Sequence, residues 1–227
     1  MSLFFEQLKQ DTAKAQQAML SAPVIEQVQQ GNISEQMYVA FLTQAYHHVK
    51  HTVPLLMACG GRLSADYEWL REAIAEYIEE EQGHQEWILD DIQACGFDAD
   101  LVRNNQGMGK VCDAIELMVS YLYHHIDRRN PLALFGMVWV LEGTSVGIGG
   151  QMAEKIQQTL NLPSTAMTYL VSHSVLDQDH LQFFASLMNQ ITRDEDKQVI
   201  IEAANMVFSL YGQMLRTLPT QSTQQAA

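Results

Sequence analysis

Positive charge is scarce in this chain: 13 Lys and Arg stand against 27 Asp and Glu in 227 residues, a formal net charge of −14 with His neutral. No basic stripe is present, which argues against nucleic acid and anionic membrane surfaces as partners. Cysteine is also scarce. Cys59, Cys95 and Cys112 are odd in number and have no close pairing, so reduced thiols of a cytosolic compartment are expected rather than a disulfide framework. The N-terminus carries charge too early and lacks the apolar core of a signal peptide. The longest apolar run, from Pro131 to Leu141, is too short to span a bilayer. No stretch shows the sustained period-two alternation of a strand. What is abundant is apolar surface, 47% of residues, enough for a sizeable core. The expectation is one cytoplasmic all-α domain over residues 1–218, with a disordered tail at 219–227.

Helical periodicity fills the chain. Helices are expected over Leu3–Leu20 and Pro23–Gln30, with Pro23 suited to a first turn. After Gly31-Asn32, Ser34 reads as an N-cap of a long helix from Glu35 to Cys59, kinked at Pro54. The next helix, capped by Ser64 or Asp66, should run to Cys95 and stop at Gly96. A polar loop follows, then helices at Lys110–Arg129 and from Asn130-Pro131 onward. Gly143, Gly147, Gly149 and Gly150 should bend or open that last one. Pro163-Ser164 opens another helix, and Val199, Ala203, Val207, Tyr211 and Leu215 form an apolar stripe on the final one.

Three of these helices carry chemistry. His173, Asp177 and His180 sit at i, i+4 and i+7 and share one helical face. Glu81 and His84 sit at i and i+3. Glu142 lies in the apolar stretch Met137-Val-Trp-Val-Leu141, where an ionised carboxylate is costly unless paired. Taken alone, the acidic run Glu76 to Glu81 reads as a solvated helix face, and Glu80 or Glu76 competes with Glu81 for the role of ligand. Taken together, Glu81, His84, Glu142, His173, Asp177 and His180 offer three carboxylates and three imidazoles. That is a ligand set for two metal ions. Mixed oxygen and nitrogen donors without thiolates suit iron, with manganese able to substitute, rather than structural zinc.

Other clusters carry less. In Tyr46-His47-His48-Val49-Lys50-His51 no acidic partner stands beside the histidines. Satisfied core or surface histidines are the simpler reading there, with Tyr46, His47 or His51 as alternatives for pocket lining, and His48→Ala is expected to change metal binding little. The glycine cluster 143–150 has no Gly-Lys-Ser ending and no preceding strand, so it is not a phosphate loop.

The order Glu81-x-x-His84, Glu142, His173-x-x-x-Asp177-x-x-His180 resembles the haem-oxygenase-like di-iron oxidases, the iron-containing redox enzymes. Leu89-Asp-Asp-Ile, Asn130-Pro131, Leu141-Glu142-Gly143 and the segment Tyr46 to Arg62 agree with it. The resemblance implies a single-domain seven- or eight-helix bundle of the haem-oxygenase-like type, shared with TenA thiaminases and PqqC-type synthases. It implies two irons held by the six residues above and a dioxygen-dependent oxidase or oxygenase acting on a small organic substrate, with a homodimer left open. Two rivals share the fold. A metal-free TenA-like hydrolase of thiamin-type pyrimidines would need a nucleophilic cysteine, and no cysteine here has a matching context. A haem-binding protein would need a histidine on the first helix, which has none. A non-catalytic protein of the same fold is the remaining alternative.

Overall fold

The computed structural model describes residues 3–219, apart from the side chains of 174–179. Most of the expected tail, residues 220–227, therefore lies outside the described residues, as does the side chain of Asp177. Among those described the fold is all-α. Its helices are α1 (Phe4–Leu20), α2 (Pro23–Gln29), α3 (Glu35–Val49), α4 (Thr52–Arg62), α5 (Glu68–Glu81), α6 (His84–Ala94), α7 (Ala99–Arg103), α8 (Asp113–Arg128), α9 (Ala133–Thr144), α10 (Gly150–Leu160), α11 (Thr168–Met188) and α12 (Asp194–Thr217).

Local chemistry accounts for most boundaries. Pro23 occupies the first turn of α2. The Ser34 hydroxyl accepts the Met37 N–H at 3.2 Å and caps α3, relieving one of the orphan donors of a first turn. Gly96 adopts φ +79° just past α6, the left-handed conformation that glycine reaches without penalty.

The segments number more than seven or eight because two expected helices are cut. The first does not kink at Pro54 but ends at Val49, and α4 starts at Thr52 with Pro54 in its opening turn. There its missing N–H and the clash with the carbonyl four residues back cost nothing. The second is cut at Gln82-Gly83, where Gly83 takes φ +89°. The expected polar loop after Gly96 also contains the short α7.

The bundle is built around α12, which packs on α9 and α1. Ile200, Ala204, Val207 and Phe208 are almost fully buried there. Gly136 allows the closest approach, since a Cβ on it would stand 2.5 Å from the Ala204 nitrogen and 2.7 Å from the Ile200 carbonyl oxygen. Trp139, on the same helix, donates to the Thr12 hydroxyl at 3.0 Å and so ties α9 to α1. At the far end of α12 the buried Asp196 accepts from Asn130 at 2.6 Å and from the Tyr67 hydroxyl.

A π-helical turn, Ser145–Gly149, joins α9 to α10, where the glycine cluster predicts a bend. The continuous helical run Ala133–Leu160 is long and apolar enough to cross a membrane by length and composition, and half of its most apolar window is buried inside the bundle. The run of consecutive apolar residues is short, but the helix that carries it is not.

Candidate metal centre

The centre is assembled from two helix ends and one helix interior. Glu81 is the last residue of α5 and His84 the first of α6. The pair therefore does not share a helical face, as its spacing predicts. The helix is interrupted at Gln82 and the left-handed Gly83, and the side chains meet with Glu81 Oε2 3.1 Å from His84 Nδ1. His84 is 3% exposed and stacks on Trp87 with ring centroids 4.0 Å apart.

The third member arrives through a cap. Asp91, seven residues beyond His84 on the same face of α6, is fully buried. Its carboxylate accepts the backbone N–H groups of Thr168 and Tyr169, each at 2.9 Å. These are orphan donors of the α11 first turn, and a carboxylate suits the positive end of a helix. Burial raises the Asp91 pKa, and the two backbone bonds act against that shift. The cap sets the register of α11 on α6. One turn later His173 reaches the centre, its ring 4.9 Å from that of His84 and 4.8 Å from that of Tyr169.

Glu81, His84 and His173 thus bring a carboxylate and two imidazoles to positions where all three donor atoms lie within 4.8 Å of one another. Oxygen and nitrogen donors, semi-buried and without thiolate, fit a single iron or manganese ion.

The other three predicted residues are placed differently. Glu142 is buried on α9 and lines the same cavity as Glu81 and His173. His180 has Nε2 3.0 Å from Glu80 Oε2, and its ring lies edge-on to Tyr77 at 6.1 Å. This leaves Glu80, which competes with Glu81 in the sequence, as the carboxylate beside His180. Asp177 lies outside the described side chains. Sequence reasoning missed Tyr77, Trp87 and Asp91. The only available signal for Asp91 was a carboxylate among apolar residues in Leu89-Asp-Asp-Ile-Gln.

Behind the triad lies a cavity of about 180 Å³. Its walls come from α1 to α5 and α9 to α12 and are mainly aliphatic and Met side chains, Met19, Val28, Met137, Leu141, Met152 and Leu215 among them. No Lys or Arg is among its lining residues.

The histidine cluster of α3 divides. His47 Nε2 donates to the Gly109 carbonyl at 2.7 Å, and Lys50 Nζ stands 3.2 Å from its Nδ1. His51 Nδ1 lies 3.2 Å from the Tyr123 hydroxyl. Both are satisfied, as expected. His48 differs: it is 3% exposed and lines the cavity.

The cysteines are free thiols. Burial pushes Cys59 up to about 12 and Cys95 up to about 11, which suits inert structural residues rather than nucleophiles. Helix α1 supplies Met19 to the cavity wall but contains no histidine.

The whole fold is similar to solved structures of several kinds. One is a domain of unknown function with a heme oxygenase-like fold from Shewanella denitrificans, 24% identical, TM-score 0.83, covering 94% of this chain and 91% of that one. Another is heme oxygenase-1 from the cyanobacterium Synechocystis in complex with heme, 13% identical, TM-score 0.76, covering 99% and 96%. A third is a TenA homolog from Pseudomonas syringae pv. tomato, 13% identical, TM-score 0.71, covering 93% and 90%. At such identities they establish the heme oxygenase-like fold alone. No curated protein sequence is significantly similar to this one. A family model described as iron-containing redox enzyme matches residues 39–212. That stretch includes Glu81, His84, Glu142, His173, Asp177 and His180, and the chain belongs to the iron-containing redox enzyme family.

Proposed function

We propose that this protein is a non-haem di-iron oxidase or oxygenase that uses dioxygen to oxidise a small organic substrate held in the cavity. The observation that carries this reading is the convergence of Glu81, His84 and His173 within 4.8 Å at the wall of an apolar cavity. These three residues would hold one ion. Glu142, His180 and Asp177 would supply the second, with Glu142 lining the same cavity as Glu81 and His173. Iron in such a site supplies the electrons that activate dioxygen. The protein's share is to position the ions and to keep water from the reacting centre with its aliphatic walls. Trp87 and Asp91 are positioning residues, one stacked on His84 and the other fixing the helix that bears His173.

The elevated Cys59 and Cys95 thiols count against a cysteine-dependent TenA-like hydrolase. The absence of histidine from α1 counts against haem bound as that resemblance would require.

The test is anaerobic loading with Fe(II), followed by iron analysis and thermal melting. About two irons per chain and a raised melting temperature are expected, because a ligand that binds only the folded state stabilises it. A protein that takes up no iron and melts unchanged overturns the reading.

A further inference from the structure

His48 combines three properties. It is 3% exposed. Neither ring nitrogen has a hydrogen-bond partner among the described residues. It lies in the wall of the main cavity. Its neighbour His47 satisfies both of its own nitrogens away from that cavity, so His48 is not part of the same arrangement. It also stands outside the group of donors that converge within 4.8 Å, so it is not a fourth member of the metal triad. Its ring is fixed edge-on to Tyr211 with centroids 5.7 Å apart.

A buried polar group without a partner is costly, and native structures almost always pair such groups. The Thr144 hydroxyl, at the end of α9, is a second cavity-lining group without a hydrogen-bond partner among the described residues. The cavity is otherwise largely aliphatic and carries neither Lys nor Arg.

We infer that His48 is a polar anchor for substrate, and that the substrate is an uncharged, largely aliphatic molecule bearing one hydrogen-bonding group such as a hydroxyl or amide. The inference rests on the reading of this cavity as the substrate site. A neutral imidazole offers one donor and one acceptor, which matches a hydroxyl or an amide. Burial pushes the His48 imidazole down to about 3, so it presents no positive charge to an anion. The aliphatic walls favour an apolar chain. In the metal-free protein a carboxylate would meet no cation in the cavity and would approach Glu81 and Glu142.

The test is equilibrium binding to the metal-free full-length protein, which separates this inference from the iron reading. The probes are 1-octanol and n-octane, followed by headspace gas chromatography, and octanoate, followed by calorimetry. The wild type should bind 1-octanol more tightly than octanoate. His48→Leu should lower the ratio of octanol to octane affinity about five- to tenfold, the loss of one hydrogen bond. His48→Gln, which keeps a donor and an acceptor, should recover part of that ratio. A merely structural role for His48 would weaken both probes alike. In the wild type, the ¹⁵N resonances of the His48 ring should move with 1-octanol and not with octane, a readout that needs no variant to fold. An unchanged ratio in a folded His48→Leu protein, unmoved ring resonances, or tighter binding of octanoate than of 1-octanol each overturns the inference. Failure to bind iron with these binding results intact would leave the anchor standing and sink only the oxidase reading.

Discussion

Glu81 Oε2 and His84 Nδ1 lie 3.1 Å apart although the two residues belong to different helices. An i, i+3 pair inside one helix is held by the helix itself. This pair is held across a helix break, and the break depends on Gly83 at φ +89°. An alanine Cβ there would meet nothing within 4 Å, so the cost of replacement is conformational alone. Gly83→Ala should destabilise the fold by about 1–2 kcal/mol, the penalty of the left-handed region for an L-residue. It should also weaken iron binding by shifting Glu81 relative to His84. Gly83→Asn should lose less, because Asn visits that region more readily. Denaturant unfolding and Fe(II) titration of the two variants check this; equal stability of Gly83→Ala and wild type would show that the break does not require a glycine.

Removal of donors separates the two halves of the proposed centre. His84→Ala and His173→Ala should each abolish the site that includes Glu81. His180→Ala should spare it and reduce iron from about two to about one per chain. His47→Ala should leave iron content unchanged, because its nitrogens bond to Gly109 and Lys50. Iron analysis after anaerobic loading distinguishes these outcomes. If His47→Ala loses as much iron as His173→Ala, the metal is bound elsewhere.

The sequence announces this fold wherever a local device sets a boundary. Ser34, Pro23 and Gly96 each act through their own backbone or side chain, and each stands where its chemistry predicts. The apolar stripe on α12 is likewise visible, because Ala203, Val207, Tyr211 and Leu215 are spaced by the helix repeat and all are buried. The break at Gly83 is harder to read. One glycine inside a helical pattern is usually tolerated, and Tyr77 and Ile88 would still share one face of an unbroken helix. The Glu81–His84 pairing was therefore anticipated for the wrong reason. His48 is illegible for another reason. His47 and His48 are neighbours near the end of α3 and His51 precedes α4, and only the tertiary packing decides which one faces the cavity. The Asp91 cap is a contact between residues 77 and 78 positions apart, beyond any local pattern.

Close approach of α9 and α12 gives a prediction independent of the metal. A methyl group on Gly136 would stand 2.5 Å from the Ala204 nitrogen, and backbone atoms cannot rotate aside as a side chain can. Gly136→Ala should push the two helices apart at the centre of the bundle. Overpacking of this kind costs about 1–3 kcal/mol, which for a domain of this size lowers the melting temperature by about 2–4 °C per kcal/mol. A melting curve superimposable on wild type would show that the helices can separate at no cost.

Buried histidine gives the fold a pH dependence with a definite sign. Burial lowers the pKa of His48 from 6.5 to about 3, and the nearby His173 and His47 push the same way. Burial also lowers His47 and His51. An unfolded chain takes up protons on these imidazoles as the pH falls through 6.5, whereas the folded chain resists. For His48 the unfolded state therefore binds more protons between about pH 6.5 and 3. Stability is full above that window and falls as the solution becomes more acidic. Asp91, whose pKa is raised by burial, opposes the trend near the acid end. Once the unfolded form is protonated, one such group contributes about 1.4 kcal/mol per pH unit. Urea unfolding of the metal-free protein at pH 7 and pH 5 should show a clear loss at the lower pH. His48→Leu should reduce that loss by about 2 kcal/mol, because the variant has no imidazole there to protonate in either state. An identical pH dependence in wild type and variant would mean that His48 titrates in the folded protein as it does in the unfolded chain, and that its side chain is not held neutral by the cavity wall.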